Sequence, residues 1–469
     1  MSANEDPALA ERIAALLGED RLVPIGARGL AADQDVCRAP IGAPRAWVRP
    51  RSTEEVAALI RLARAESIPV VTAGRRTAYW RPLQFEQAIV LETRALTELH
   101  EFDREHRILW CGAGASVREI DDALRAQGHL LPAHPDAFGG TSIGSMVATG
   151  FTSGVGMALA DANTLVTGLE LVLGTGAIVR TGAAASLGAP AFLRTGLPDP
   201  TGLLLAAEGA LGVVTRVAVR ALARAHRCQL SFRVAAPLAA ILPLAEALRV
   251  PGLYETFRAV DPGELREQAP IEVDLILRSP LSATELEGRV AWVCERVASL
   301  VPAATIPTRR YERPDEALLP RFWGAAGEAW VRTRKGRFAP VDVNLGYGSI
   351  AAAIATGEAL LAEHRELPWI NRRRALYFAP DFVNFGLHWS LDPARSDDPS
   401  ALAFIQAGAA ALAGLPLIPY RFGRVWAAAL GDRLDPGYHA MMLELQRACD
   451  PDGILNPGVS IFGLGLRDR

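Results

Sequence analysis

The chain has 469 residues, 50% of them hydrophobic and 22% charged, with a formal net charge of −3 at pH 7. That length suffices for a large core and about two to three domains, and the near-neutral balance gives no general pull toward nucleic acid or an anionic membrane. Five scattered cysteines (Cys37, Cys111, Cys228, Cys294, Cys449) include no C-x-x-C pair, which argues against a disulfide framework or a metal site and fits a cytoplasmic protein. Lysine occurs once, at Lys335, and no Gly-Lys-Ser/Thr triplet exists. A Schiff-base lysine would have to be Lys335, and P-loop phosphoryl transfer has no footing.

The N-terminus, Met1-Ser-Ala-Asn-Glu-Asp-Pro7, is acidic where an export signal is basic and then apolar, so no export is expected. Ser52-Thr-Glu-Glu55 before Val56, Leu59 and Ile60 predicts a capped helix ending near Ser67. Strands follow at 68–71, 88–91 and 107–111, then a helix over 117–127 with Ile120, Ala123 and Leu124 on one face. The uncharged stretches 138–160 and 401–418 are interrupted by glycine, hydroxyl residues, Gln406 or proline, and neither reads as a membrane span. Residues 168–173 and 177–180 flank Gly174-Thr-Gly176 as a hairpin, and 212–219 is a further strand. After about residue 225, strands at 229–234 and 271–278 alternate with alanine-rich helices at 284–299 and 351–364. Strands and helices in this mixture predict an α+β chain rather than a regular doubly wound sheet. The arginine runs at 332–337 and 372–374 read as solvated surface.

Three glycine-rich segments carry candidate chemistry. Cys111-Gly-Ala-Gly-Ala-Ser-Val117 follows a strand and opens a helix, but Val117 stands where a dinucleotide fingerprint has its third glycine. Val71-Thr-Ala-Gly-Arg-Arg-Thr-Ala-Tyr79 couples a close-approach turn at Gly74 to the diphosphate-binding potential of Arg75 and Arg76. His134-Pro-Asp-Ala-Phe-Gly-Gly-Thr-Ser-Ile-Gly-Ser145 offers backbone N–H groups and three hydroxyls to an anion. Its Gly140-Thr-Ser-Ile-Gly144 also matches G-x-S-x-G, the elbow of serine hydrolases. The two prolines before it speak against the strand an elbow requires, and a hydrolase using Ser142 stays as an alternative of another class.

In their order along the chain, several motifs resemble the FAD-linked oxidase superfamily, and within it the vanillyl-alcohol oxidase and para-cresol methylhydroxylase flavoprotein family. They are Arg49-Pro-Arg-Ser-Thr-Glu-Glu-Val56, Cys111-Gly-Ala-Gly114, Gly168-Leu-Glu-Leu-Val-Leu-Gly-Thr-Gly176, Glu208-Gly-Ala-Leu-Gly-Val-Val-Thr215 and Asp450-Pro-Asp-Gly-Ile-Leu-Asn-Pro-Gly458. Gly74-Arg-Arg-Thr-Ala-Tyr-Trp80, Pro135-Asp-Ala-Phe-Gly-Gly-Thr-Ser142 and Tyr420-Arg421 are similar to segments of the phenol-oxidising branch. Arg76, Ala78, Trp80 and Val459 depart from that branch's asparagine, glycines and lysine.

The resemblance implies a two-part FAD-binding domain (1–225, with 428–469 returning to it) made of small and larger α+β subdomains. An inserted cap domain of antiparallel sheet plus helices (226–427) is implied to hold the substrate. It implies FAD, with covalent attachment through His388 as one option, and a small-molecule substrate at the domain interface. Asp136, Tyr79, Tyr420 and Arg421 become the catalytic candidates. Cofactor contacts fall on Thr72, Ala73, Gly74, Arg75, Arg76, Thr77, Pro135, Gly139, Gly140, Thr141, Ser142, Gly144, Ser145, Gly150, Gly212, Val214, His388 and Asn456.

The implied reaction removes a hydride from an aromatic alcohol or para-substituted phenol, with dioxygen or a redox carrier as acceptor. A non-phenolic alcohol or amine remains open as substrate, as does a flavoprotein without catalysis. A homodimer is also left open; no metal, nucleic acid or membrane partner is expected. Free phenols titrate near pH ~10, so ionising one at neutral pH is uphill by roughly 4 kcal/mol. A guanidinium aided by phenolic donors opposes that cost.

Overall fold

The computed structural model describes residues 6–24, 42–77, 86–133, 135, 139–150, 157–159, 162–261, 269–312, 337–392, 394–395 and 398–463. Its fold is α+β. The capped helix forms over Thr53–Ala65, with Ser52 accepting from the Glu55 N–H, and its apolar side (Val56, Leu59, Ile60) packs on a parallel sheet. That sheet orders Ala46–Val48, Ile89–Glu92 and Val70–Ala73 side by side. A second, antiparallel sheet orders Ile108–Gly112, Val213–Arg220, Val166–Val172 and Ile178–Arg180. The expected hairpin is there, with Leu171 opposite Val179. Because Ile108–Gly112 has an antiparallel neighbour, the glycine turn after it is not a dinucleotide fingerprint on a parallel βαβ unit.

From His226 onward the chain builds an eight-stranded antiparallel sheet. Its strands run in the order Thr308–Tyr311, His226–Val234, Ile271–Ser279, Tyr254–Asp261, Trp369–Phe378, Val383–Leu391, Arg337–Leu345 and Leu417–Pro419. Alternation along these strands separates two faces. One carries Leu230, Phe257, Leu275, Leu376, Phe385, Leu387 and Val343 into a core closed by helices Ala283–Leu300, Ile350–Glu363 and Asp398–Leu412. Trp389 and Trp426 belong to this core; Trp389 packs against Trp369 and Phe404.

The helix Gly423–Leu430 crosses the expected domain boundary, with Val425, Trp426 and Leu430 in the large core. Met442 of the following helix, Pro436–Cys449, packs instead with the second sheet.

The opposite face of the large sheet is buried and polar: Arg227, Gln229, Arg258, Asp274, Asp342, Arg373, Asn384 and His388 are all less than 9% exposed. Buried charge is tolerable only when paired. Arg258 donates to Asp274 Oδ2 through Nε (3.1 Å) and Nη2 (2.8 Å), while Ser231 Oγ donates to Asp274 Oδ1 at 2.6 Å. Arg227 donates to Glu255 and Glu312, and Glu312 also accepts from Arg125 of the N-terminal half.

One expectation is corrected here. Arg373 is not solvated surface but 6% exposed on the polar face, and its neighbour Arg374 pairs with Asp261 and Glu358. Strand alternation sends adjacent arginines to opposite sides. A smaller device is the Ser282 cap, which accepts from Glu285 N at 3.1 Å. Ser282→Ala should cost about 1 kcal/mol, measurable as a lower urea midpoint with an unchanged slope.

Candidate functional site

Four segments distant in sequence meet beside the parallel sheet. Val117 N donates to Thr141 O, Ile143 N to Ala115 O and Gly144 N to Ala113 O, which fixes the 139–145 loop against the turn after Ile108–Gly112. The 72–77 turn lies across it: Thr77 Oγ1 and Thr141 Oγ1 are 3.3 Å apart. At Gly74 the approach is so close that a Cβ would fall 1.9 Å from Ser145 Oγ and 3.0 Å from Ser142 Oγ. Only glycine fits. Asn456 enters from the C-terminal turn, its Oδ1 accepting from Thr72 N at 2.9 Å. That turn is held by Asp450, which accepts from Leu455 N at 2.7 Å and whose carboxyl burial pushes above its ordinary range.

Arg75 reaches Gly114 O and Glu119, both at 3.4 Å. Partial burial pushes the Glu119 carboxyl up, but the Ser116 N–H and hydroxyl, with Arg75, leave it below the usual carboxylate range. Arg76 is buried at φ +54° with its guanidinium 5.0 Å from the Trp47 ring centroid.

Thr72, Ala73, Gly74, Arg75, Arg76, Thr77, Gly139, Gly140, Thr141, Ser142, Gly144, Ser145 and Asn456 are therefore neighbours. Gly212 and Val214 lie farther along, at the start of strand Val213–Arg220. Pro135 is described without its flanking residues, and Tyr79 and Asp136 lie outside the described residues. Ser142 is fully buried and shares its hydroxyl with Ser145 Oγ at 2.9 Å. It is not the exposed nucleophile a hydrolase elbow presents.

Tyr420 and Arg421 follow the edge strand Leu417–Pro419 and reach across to the N-terminal half. Arg421 Nη1 donates to Gly150 O (2.8 Å) and Tyr420 O (2.9 Å), and Nη2 donates to Tyr420 Oη (3.1 Å). The guanidinium carbon stands 3.9 Å from the Tyr420 ring centroid. Glu208 went unnoticed as a site residue. It accepts from Gly423 N at 3.0 Å and so ties the helix after Arg421 to the N-terminal half. Its position inside the Glu208-Gly-Ala-Leu-Gly motif was the available signal. His388 sits on the polar face of the large sheet with Asp342.

The donors gathered where the loops meet suit an anionic ligand such as a diphosphate. Gly74 lets the 72–77 turn close onto two hydroxyls, and Thr72 Oγ1 and Asn456 Nδ2, buried near Gly209, have no hydrogen-bond partner among the described residues. The sequence profile of the FAD binding domain matches residues 44–182. This part of the chain is similar to an FAD-binding domain.

FAD is the cofactor that this match supports. The D-lactate dehydrogenase of Archaeoglobus fulgidus is 33% identical over 187 residues, 39% of this chain and 40% of that protein. The D-2-hydroxyglutarate dehydrogenase of Xanthomonas citri is 29% identical over 178 residues, 38% of this chain and 36% of that one. The matches thus span well under half the length of these curated relatives.

Solved structures match over nearly the whole chain and share its fold. The 4-ethylphenol oxidase of Gulosibacter chungangensis superposes with a TM-score of 0.79 at 16% identity, covering 100% of this chain and 99% of that one. p-Cresol methylhydroxylase gives 0.78 at 14%, covering 98% and 97%. Alkyldihydroxyacetonephosphate synthase gives 0.71 at 14%, covering 97% and 85%. Among the described residues no helix is long and apolar enough to cross a membrane, and no cluster of metal-ligating side chains occurs.

Proposed function

We propose that this chain is an FAD-dependent oxidoreductase that removes a hydride from a small aromatic alcohol or para-substituted phenol. The substrate would lie between the flavin-binding loops and the polar face of the large sheet. The observation that carries the reading is the Tyr420–Arg421 pair, whose phenol and guanidinium are locked together against Gly150 of the flavin-binding half. A permanently charged guanidinium beside a phenolic donor stabilises a substrate phenolate, which in turn stabilises positive charge developing at its benzylic carbon. Bound flavin supplies the hydride acceptor. Asp136 and Tyr79 belong to the same proposal, as base or water-orienting group and as second phenolic donor. Dioxygen or a redox carrier takes the electrons onward.

A second reading, oxidation of a 2-hydroxy acid, draws on the curated dehydrogenases similar to the flavin-binding half and on Arg373, a buried cation on the polar face suited to a carboxylate.

Anaerobic mixing separates the two. Flavin absorbance should bleach with 4-ethylphenol or vanillyl alcohol and persist with D-lactate or D-2-hydroxyglutarate. Bleaching by the acids alone would replace the first reading with the second, and bleaching by none of the four would remove both.

A further inference from the structure

One turn of the flavin-binding half is strained. Ala206 (φ +62°) and Glu208 (φ +49°) both lie in the left-handed region that suits glycine, and Gly209 follows at φ +80°. Such conformations persist only where the surroundings over-determine them. Ala206 N donates to Val147 O at 3.2 Å and Glu208 N to Ala148 O at 2.7 Å, which lays the turn along helix Ile143–Ala148. Gly150 sits so near that a Cβ on it would fall 2.4 Å from Ala206 Cβ. At the far end of the turn, a Cβ on Gly209 would fall 2.1 Å from Asn456 Nδ2. The turn is wedged between the 143–150 segment and the C-terminal turn.

This conformation presents the Glu208 side chain to the other half of the molecule. Its carboxyl, on a residue 7% exposed, accepts from Gly423 N at 3.0 Å in a buried hydrogen bond. Gly423 opens helix Gly423–Leu430, and Phe422 before it makes no side-chain cap. The first N–H groups of a helix have no partner inside the helix. Glu208 supplies one from 215 positions away, at the helix end where a carboxyl group is favoured. The contact closes a ring. Arg421, just before this helix, donates to Gly150 O at 2.8 Å, and Gly150 rests on Ala206 of the strained turn. Arg421 is thus held directly at Gly150 and, through Gly423, at Glu208.

We propose that Glu208 is a positioning residue: by capping helix Gly423–Leu430 from the flavin-binding half, it sets Tyr420 and Arg421 where they grip a phenolic substrate. The assignment rests on the phenol-oxidising reading above. Glu208 acts through Arg421 and not on the reacting atoms. What the role requires of its side chain is an oxygen that accepts from Gly423 N.

The test compares FAD-loaded wild type, Glu208→Ala and Glu208→Gln in spectral titration with phenol itself, which has no benzylic carbon to oxidise. FAD content and the urea midpoint are measured alongside. Glu208→Ala should keep its flavin and bind phenol about tenfold more weakly. Glu208→Gln should recover most of that loss, because its amide oxygen still accepts the Gly423 N–H. Hydrogen exchange over 420–430 should quicken in Glu208→Ala and return toward wild type in Glu208→Gln. Should Glu208→Ala fail to fold with FAD, Glu208→Asp takes its place, its carboxyl withdrawn by one methylene and its phenol affinity expected to fall about fivefold. A lowered midpoint with phenol affinity equal to wild type makes the contact merely structural and overturns the assignment. A Gln variant as weak as the Ala variant overturns it as well. Wild type that binds no phenol sinks the phenol-oxidising reading itself, and this assignment with it.

Discussion

Arg421→Ala is expected to weaken binding of a phenolic inhibitor by roughly 30-fold or more, with FAD content unchanged. The magnitude follows from removing one partner of a partly buried, hydrogen-bonded charge, at about 2 kcal/mol, the low end for such groups. Two losses combine. The site loses the cation that stabilises a phenolate, and Tyr420 loses the guanidinium bonded to its hydroxyl and stacked on its ring. Arg421→Lys should recover only part of the affinity, because an ammonium cannot serve Gly150 O and Tyr420 Oη in one plane. Spectral titration of the holoprotein with a competitive phenol measures both. Equal affinity in wild type and Arg421→Ala would remove the phenolate site and leave the flavin cradle intact.

Gly74→Val should yield folded but largely colourless protein. The new Cβ would overlap Ser145 Oγ at 1.9 Å and crowd Ser142 Oγ at 3.0 Å, and the branched methyls add to this. Ser145 Oγ has little freedom to withdraw, because Ser142 Oγ already engages it at 2.9 Å. The 72–77 turn must then lift from the 139–145 loop, which would open the place where both are proposed to face the cofactor. Overpacking of this kind costs about 1–3 kcal/mol, so FAD affinity should fall by about tenfold to a hundredfold with far-ultraviolet dichroism preserved. Titration of the apoprotein with FAD reads the effect. Undiminished affinity would mean that the two loops do not form the cradle.

The flavin-binding half was legible because its signals are local. Ser52 and Glu55 announce a helix start, and a glycine turn inside 168–180 announces a hairpin. Loops 72–77 and 139–145 are each contiguous, so their chemistry is readable even though their meeting depends on the bonds from Ala113 and Ala115.

The polar face of the large sheet was legible only in part. His388 was readable only as an option for cofactor attachment; its neighbour Asp342 is 46 positions earlier on another strand, and no spacing rule joins them. Arg373 and Arg374 looked like a solvated run because a string of like residues hides a period of two. Only the pairing of Trp369–Phe378 with both neighbours reveals that one arginine faces inward. Gly386 carries no pattern at all, since its role is the space that Asp342 and His388 occupy.

The bonds from Arg421 to Gly150 and from Gly423 to Glu208 cross between the two halves at the place where substrate would sit. If FAD binding shifts the 139–150 region, these bonds give it a route to the helix beginning at Gly423. By reciprocity, a ligand held by Tyr420 and Arg421 would change the hold on FAD by the same factor by which FAD changes the hold on that ligand.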